Sequence, residues 1–322
     1  MAARSSEFAL IAKYFKPLAT DPGALALGDD ACLIEHHAGS EIVATTDALI
    51  AGVHFLAGDP PHLVARKALR VNLSDLAAKG AAPAGYLLAL SLPQDFETEW
   101  LEDFVRGLAE DQKRFGISLL GGDTTATPGP LTLAITALGR VPKGRMIKRA
   151  GAESGDGVYV SGSIGDAGAG LAVLQGTLAA GPHAAFLSER YRLPEPRLGL
   201  GTALRGTASA ALDVSDGLLA DLGHIAEVSR VRIVVEALRI PRSEALQAVW
   251  GSTPDAILRA ATAGDDYEIA FTSRSEEAAL AAGRQGGVAV TRIGRVEAGQ
   301  GVVLLDDSGC EISFAKAGFS HF

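Results

Sequence analysis

Aspartates beside small residues recur along this chain at the edges of apolar runs. They occur in Gly28-Asp29-Asp30, Thr45-Thr46-Asp47, Asn72-Leu73-Ser74-Asp75, Gly121-Gly122-Asp123, Asp213-Val214-Ser215-Asp216-Gly217 and Gly264-Asp265-Asp266-Tyr267. Acidic side chains usually scatter over a solvated surface, and carboxylates that share a site repel each other unless cations lie between them. Hard cations such as Mg²⁺ take oxygen ligands and combine one or two carboxylates with substrate phosphates. The pattern therefore predicts a site where several metal ions hold a polyphosphate.

Each acidic motif has an ordinary alternative when it is taken alone. Asp30 fits a turn or a helix N-cap, Gly121-Gly122-Asp123 fits a hairpin turn, and Asp216 could simply cap a following helix. Asp75 falls inside a predicted helix, where a solvated pair with Lys79 is the alternative to a functional role. The prediction of a metal site therefore depends on the recurrence of the motifs at similar structural positions.

Other candidate groups give weaker signals. His54 lies beside apolar neighbours, where a histidine is more often structural than catalytic. Arg149 could clamp a phosphate through its planar guanidinium, although a surface charge is the alternative. The chain has no Walker A sequence, and the glycine-rich run 162–168 lacks the GxGxxG spacing, so a tight turn before a helix is predicted there.

Composition narrows the class of protein. A formal net charge of −9 without any lysine- or arginine-rich run argues against nucleic acid as a partner, but not against a nucleotide, because metals reverse the local sign. Cys32 and Cys310 are far apart in sequence, so neither a disulfide framework nor a zinc site is expected. The longest nonpolar segment, 81–92, is too short to span a bilayer, and a cytoplasmic protein without membrane contact is predicted.

Strand-like and helix-like segments alternate along both halves of the chain. This alternation predicts a layered α/β architecture, with a glycine- and proline-rich basic stretch separating domains at 1–142 and 143–322. The first domain should contain strands at 41–46, 85–92, 117–120 and 131–141 and helices at 61–79 and 98–115. Asp47 and Asp123 would then follow strand ends, where α/β folds place ligands.

The acidic motifs, together with His54-Phe55, Arg149, Gly264-Asp265-Asp266-Tyr267-Glu268 and the ending Gly318-Phe319-Ser320-His321-Phe322, resemble the thiamine-monophosphate kinase family. They occur in that family's order across nearly the whole chain. The wider superfamily contains aminoimidazole-ribonucleotide synthetase (PurM-like proteins), selenophosphate synthetase and a hydrogenase-maturation protein, and the His54 and C-terminal motifs favour the kinase. The resemblance implies a two-domain PurM-like α/β fold whose N-terminal domain binds ATP and metal and forms a homodimer through a shared β-barrel.

The resemblance also implies a reaction and a set of site residues. The enzyme would convert ATP and thiamine monophosphate into ADP and thiamine diphosphate with several Mg²⁺ ions. Implied metal ligands are Asp30, Thr45, Thr46, Asp47, Asp75, Asp123, Asp213 and Asp216. Implied ATP contacts are Gly122, Asp123, Arg149 and Ser215, and implied thiamine contacts are His54, Asp265 and Phe319. For catalysis, the resemblance implies Asp47, Asp75 and Asp123 as metal holders and Arg149 as a charge clamp.

Two positions depart from the family pattern. Asp265 stands where the family usually has a glutamate, which shortens its reach by one methylene. Phe319 can stack on a heterocycle but cannot donate a hydrogen bond.

Two rival functions remain open at the level of sequence. The same fold could serve an ATP-dependent synthetase that activates an amide oxygen. The acidic motifs could instead form calcium-binding loops of an interaction module, although no 12-residue EF-hand pattern with its terminal glutamate occurs.

Overall fold

The computed structural model describes residues 7–29, 31–35, 37–314 and 317–319, which fall into two units. The first unit comprises the described residues of Met1–Leu76 and Ala82–Gly144, and the second those of Ala77–Ala81 and Arg145–Phe322. The main division therefore follows Gly144, whereas the domain boundary predicted from composition followed residue 142. None of the helices that the described residues form is long and apolar enough to cross a membrane.

The first unit contains one sheet and its helices. The strands are β1 (Ser40–Ile50), β2 (Ala82–Pro93), β3 (Leu119–Thr127) and β4 (Thr132–Pro142), and the helices are α1 (Glu7–Leu10), α2 (Pro61–Ala78) and α3 (Thr98–Phe115). Short helical turns cover Ile11–Phe15, Lys16–Leu18 and Pro22–Leu27.

The sheet of the first unit is open, in the order β1-β4-β2-β3, with β1 and β3 at its edges. Only β2 and β3 run parallel. Alternate residues such as Val43, Leu88 and Ile135 are buried on one face, and hydrogen bonds from that face reach α2 and α3, for example Gln112 to the Tyr86 hydroxyl. The opposite face stays exposed along β1.

The predicted strand ends at Asp47 and Gly121 were wrong. β1 pairs with β4 without interruption from Ser40↔Pro142 to Ile50↔Thr132, and Leu49 is buried like Val43, so the alternation of faces continues through Asp47. β3 likewise runs through Asp123 to Thr127. Because β1 belongs to an antiparallel pair, the rule that ligands gather at the carboxyl ends of parallel strands does not apply to it.

A buried ion pair joins α2 to α3. Arg70 donates from Nε to Asp111 Oδ2 at 2.6 Å and from Nη2 to Asp111 Oδ1 at 2.9 Å, and both side chains are almost fully buried. Arg66 adds a third bond from its Nε to Asp111 Oδ1. A carboxylate with this set of donors is satisfied, whereas either partner alone would be a buried uncompensated charge.

Replacing Asp111 with alanine should therefore lower the free energy of unfolding by about 3–5 kcal/mol. Glu110, the next residue, has an exposed ion pair with Arg106, and Glu110→Ala should cost less than about 1 kcal/mol. Urea unfolding of the two variants measures both values. Equal losses of unfolding free energy would show that the buried ion pair stabilises the fold no more than the exposed one.

The second unit holds the larger sheet. Its strands are β5 (Gly157–Ser161), β6 (Ala210–Asp213), β7 (Arg232–Glu236), β8 (Ile269–Ser273), β9 (Val290–Glu297) and β10 (Gly301–Leu305). Its helices are α4 (Asp166–Leu174), α5 (Ala184–Arg192), α6 (Leu198–Ala203), α7 (Leu218–Ser229), α8 (Glu244–Trp250), α9 (Pro254–Ala261) and α10 (Glu276–Gly286). The strand order is β10-β7-β9-β5-β8-β6, in which β10 and β7 run parallel.

The core of this unit explains where its polar turns lie. Val160 of β5, Leu212 of β6 and Leu222 of α7 belong to one buried apolar cluster. β6 ends at Asp213 and α7 starts at Leu218, so the polar residues between them form the connecting turn. The strand predicted over 267–272 begins later, at Ile269, because the chain before it takes positive φ angles at Asp265 and Tyr267.

Candidate active site

An acidic pair lies on the helix-covered face of the first sheet. Asp47 comes from β1 and Asp75 from α2. The Thr45 hydroxyl, two residues before Asp47 and on the same face, donates to Asp75 Oδ2 at 2.5 Å. Burial raises the pKa of Asp47 to about 6, and the negative charge of Asp75 adds to this effect. The ionised pair is therefore costly when no cation is bound.

The atoms around this pair suit a hard divalent cation. The donors are carboxylate and hydroxyl oxygens, which Mg²⁺ prefers over nitrogen or sulfur. Asn72 Oδ1 and Ser74 Oγ, on the same helix as Asp75, are buried and have no hydrogen-bond partner among the described residues. The donor chemistry and the charge of Thr45, Asp47 and Asp75 therefore fit Mg²⁺.

Thr46 points to the other face of the sheet. Its hydroxyl donates to the Ile135 carbonyl at 3.1 Å and accepts from the Thr136 hydroxyl at 3.1 Å. Its side chain is exposed and does not join the Asp47–Asp75 pair directly.

Asp123 and Gly122 lie at the far edge of the same sheet. The register runs from Asp47 to Ile135, from Ile135 to Leu88, and from Leu88 to Gly122, with Asp123 in the next row. Three inter-strand spacings separate Asp47 from that edge, about 14 Å. The register also assigns the Asp123 side chain to the exposed face of the sheet, opposite the face that carries Asp47. A single chain therefore does not bring Asp123 to the acidic pair.

His54 lies in the turn after β1. The Ile50 amide donates to His54 Nδ1 at 3.0 Å, so Nδ1 is an acceptor and the proton of the neutral ring is on Nε2. Lys67 donates to the His54 carbonyl at 2.9 Å. These bonds fix both the backbone and the tautomer of His54.

The turn between β6 and α7 carries the acidic residues of the second unit. Asp213 is buried at the end of β6, while Ser215 and Asp216 are partly exposed. The amides of Ser215, Asp216 and Gly217 all donate to Asp221 Oδ2, each at 3.1 Å. Burial, followed by the charge of Asp216, raises the pKa of Asp221 to about 7, although the three amides oppose that rise.

Asp221 is a residue that sequence reasoning missed. Its carboxylate, that of Asp216 and the ring of His224 lie within 4.8 Å of one another. The available signal was its position in the first turn of a helix, where acids complement the helix dipole.

The two predicted substrate residues of this unit meet the same turn. The Asp265 amide donates to the Ser215 carbonyl and the Phe319 amide to the Asp216 carbonyl, both at 2.8 Å. Asp265 is partly exposed and Phe319 is 49% exposed. Ser215, Asp216, Asp265 and Phe319 are therefore neighbours in the structure although the sequence separates them.

Asp266 and Glu268, which flank this contact, are buried and have structural partners. Asp266 accepts from the amides of Gly165 and Ala167, and Glu268 accepts from Arg190 and Arg197. The predicted tight turn before α4 is confirmed. Because Asp266 occupies its amides, that turn is not a phosphate loop.

Arg149 is exposed and its guanidinium forms no ion pair with any described residue. Its loop is anchored on α7, since Ser229 Oγ accepts from the amides of Gly151 and Ala152. Asp30 lies outside the described residues.

Comparison with known proteins places this arrangement in a class. The family description "AIR synthase related protein, N-terminal domain" matches residues 28–141, and "AIR synthase related protein, C-terminal domain" matches residues 153–307. The chain is thus an AIR synthase-related protein in both units.

Similar proteins of known name show to which family within that class the chain belongs. The thiamine-monophosphate kinase of Caulobacter vibrioides is 45% identical over 99% of this chain and 92% of its own length. The enzyme of the same name from Escherichia coli K12 is 40% identical over 98% of both chains. The chain belongs to the thiamine-monophosphate kinase family.

Solved structures agree with this assignment. The thiamine-monophosphate kinase of Stenotrophomonas maltophilia K279a superposes with a TM-score of 0.83 at 43% identity, covering 93% of this chain and 96% of that one. AaThiL complexed with AMPPCP and TMP gives 0.78 at 32% identity, covering 92% and 91%. Hydrogenase maturation protein HypE of Escherichia coli, at 21% identity and a TM-score of 0.79, shares the fold.

Proposed function

We propose that the protein transfers the γ-phosphoryl group of ATP to thiamine monophosphate, yielding ADP and thiamine diphosphate, with the help of several Mg²⁺ ions. The observation that carries this proposal is the half-buried Asp47–Asp75 pair with its oxygen donors, found in a member of a kinase family. A relative of similar fold is complexed with AMPPCP and TMP, an ATP analogue and the acceptor.

Thr45, Asp47 and Asp75 would hold Mg²⁺ in the first unit, with Asp30 as a further ligand. Thr46 and Asp123, whose side chains lie on the opposite face of the sheet, would hold a separate Mg²⁺ and would not share that ion. Asp213 and Asp216 would hold Mg²⁺ in the second unit. Bound Mg²⁺ would neutralise charge on the two phosphate groups that must approach each other.

The chain's own groups bind and orient the substrates. Arg149 would clamp a phosphate of ATP by its planar fork, and the Gly122 backbone and the Ser215 hydroxyl would contact the nucleotide. His54, Asp265 and Phe319 would contact the thiamine substrate, and the Phe319 ring can stack on a heterocycle.

Transfer should be direct. The second pKa of a phosphate monoester is near 6, so the acceptor is already largely dianionic at neutral pH and needs little help from a base. We therefore propose a single in-line displacement without a phosphoenzyme. A γ-phosphate made chiral with oxygen isotopes should be transferred with inversion, and retention would exclude a single displacement.

We also propose that the chain acts as a homodimer through its first sheet. The face of β1 that carries Ile42, Ala44, Thr46 and Ala48 is exposed, and Ile42 is 47% exposed. Both edge strands have an unpaired side, which commonly invites pairing. Two such sheets joined edge to edge would give the shared β-barrel and would set β1 of one chain beside β3 of the other.

The central experiment measures thiamine diphosphate formed from Mg-ATP and thiamine monophosphate by the purified protein. Formylglycinamidine ribonucleotide as acceptor tests the synthetase alternative in parallel. Calorimetry with Ca²⁺ tests the calcium-module alternative. ADP release only with the ribonucleotide, or tight Ca²⁺ binding without nucleotide binding, would overturn the kinase proposal.

Mg²⁺ should stabilise the protein more at pH 7.5 than at pH 5.5. Because the folded-state pKa of Asp47 is about 6, above the ordinary 3.8, the folded metal-free protein binds a proton that the unfolded chain has released. Its stability therefore decreases as pH rises from about 4 to 6, and below pH 6 a bound cation must displace that proton. Melting curves with and without Mg²⁺ at both pH values measure the effect. An equal shift at both would remove Asp47 from the metal site.

A further inference from the structure

The N-terminus of α7 contains an anion-binding nest that the chain fills itself. Three successive amides, of Ser215, Asp216 and Gly217, converge on one oxygen of Asp221. Converging amides at a helix N-terminus ordinarily bind a phosphate or another anion. Here the side chain of the same helix takes that place and is itself 3% exposed. Any contact of this turn with a phosphate must therefore come from side chains.

The carbonyls of the same turn hold two other segments. The Ser215 carbonyl accepts from Asp265, and the Asp216 carbonyl accepts from Phe319. Both approaches need glycine beside the contact: a Cβ at Gly264 would lie 2.5 Å from the Ser215 carbonyl oxygen, and one at Gly318 would lie 2.3 Å from that of Asp216. The three segments are thus packed backbone against backbone.

The segment that carries Asp265 depends on these bonds for its shape. Asp265 and Tyr267 have φ angles of 68° and 52°, a conformation that costs energy for residues other than glycine. The Tyr267 amide donates to the Val214 carbonyl, and the Val214 amide donates to the Glu268 carbonyl, both at 2.8 Å. Loss of order in the turn would therefore release Asp265 from its strained geometry.

We propose that Asp221 is a positioning residue for phosphotransfer: by filling the nest it fixes the turn 214–217, and through that turn it sets Ser215, Asp265 and Phe319 together. This inference depends on the proposed function, in which Ser215 contacts ATP and the other two contact thiamine monophosphate. One buried carboxylate then controls the geometry of both substrates' contacts.

The test is the full-length Asp221→Ala variant with sodium formate as the added anion. The variant should lose about 10²-fold in kcat/KM, because misplacement by about 1 Å costs that much, and KM should rise for both ATP and thiamine monophosphate. Formate is small enough to accept from the three amides, so it should restore part of the activity. Formamide, which is neutral, and chloride should not.

A second readout separates this inference from the proposed function. Formate should raise the melting temperature of Asp221→Ala and leave that of the wild type unchanged, whatever reaction the protein catalyses. If wild-type protein forms no thiamine diphosphate but the formate-dependent stabilisation is seen, the proposed function fails while the filled nest stands. If the wild type is active and formate changes neither activity nor melting of the variant, the positioning role of Asp221 is overturned.

Two further variants complete the design. Asp221→Asn keeps the shape of the side chain and should fold even if the alanine variant does not; it should show a smaller loss, with both KM values raised. The inference would be contradicted if Asp221→Asn and a folded Asp221→Ala both showed wild-type kinetics. Glu227→Ala, an exposed position on the same helix, should match the wild type in kinetics and in its indifference to formate.

Discussion

Asp47→Asn should lower kcat by at least about 10²- to 10³-fold while the metal-free protein remains as stable as the wild type or becomes more stable. The two effects have opposite signs for one reason. Burial and the charge of Asp75 raise the pKa of Asp47 to about 6, so at neutral pH the ionised side chain destabilises the metal-free fold. A neutral amide of the same shape relieves that repulsion and also removes a ligand for the cation.

Activity assays and thermal melting in the presence of EDTA measure the two effects separately. Adding Mg²⁺ should raise the melting temperature of the wild type by more than that of Asp47→Asn. Asp95→Asn is the matched control, because Asp95 is an exposed aspartate of the same unit, and it should change neither quantity. Near-normal turnover in Asp47→Asn, or a large loss of stability in EDTA, would remove Asp47 from the proposed metal shell.

The helices were largely predictable from local pattern, whereas the positions of the aspartates within strands were not. α3 begins and ends where its amphipathic pattern does, at Thr98 and Phe115, because apolar residues at helical spacing and the following glycine are local signals. Asp47 was placed at a strand end because an acidic residue there follows the strand-like run 41–46. The pairing of β1 with β4 overrides that local preference, and pairing between distant strands is not visible in a local window.

The aspartates of the two units also divide into two kinds that the sequence does not distinguish. Asp47 and Asp75 face each other, as a metal site requires. Asp221 and Asp266 instead satisfy amides at the starts of α7 and α4. The geometry that separates these roles is the convergence of amides on one carboxylate, which depends on tertiary contacts between residues far apart in sequence, such as Gly165 and Asp266.

Mixed dimers of Asp47→Asn and Asp123→Asn should recover activity that neither variant has alone. Within one chain Asp123 lies about 14 Å from the strand that carries Asp47, too far for both to bind one ion. In the proposed dimer, β3 of one chain lies beside β1 of the other, so each active site would combine Asp47 of one subunit with Asp123 of the partner subunit. Because the two side chains belong to opposite faces of the sheet, each would hold its own Mg²⁺ on the same bound nucleotide instead of sharing one ion. A mixed dimer then has one site with both defects and one site with none.

Co-expression with two different affinity tags isolates the mixed dimer. It should show about half the wild-type activity per dimer, since a two-fold dimer has two equivalent sites of which one is intact. Asp47→Asn combined with Asp75→Asn is the matched control: because these two residues come from the same chain, both sites of that mixed dimer carry a defect and should stay inactive. Equal inactivity of the two mixed dimers would show that Asp123 acts within its own chain or outside the site, and a protein that elutes as a monomer would exclude the shared site altogether.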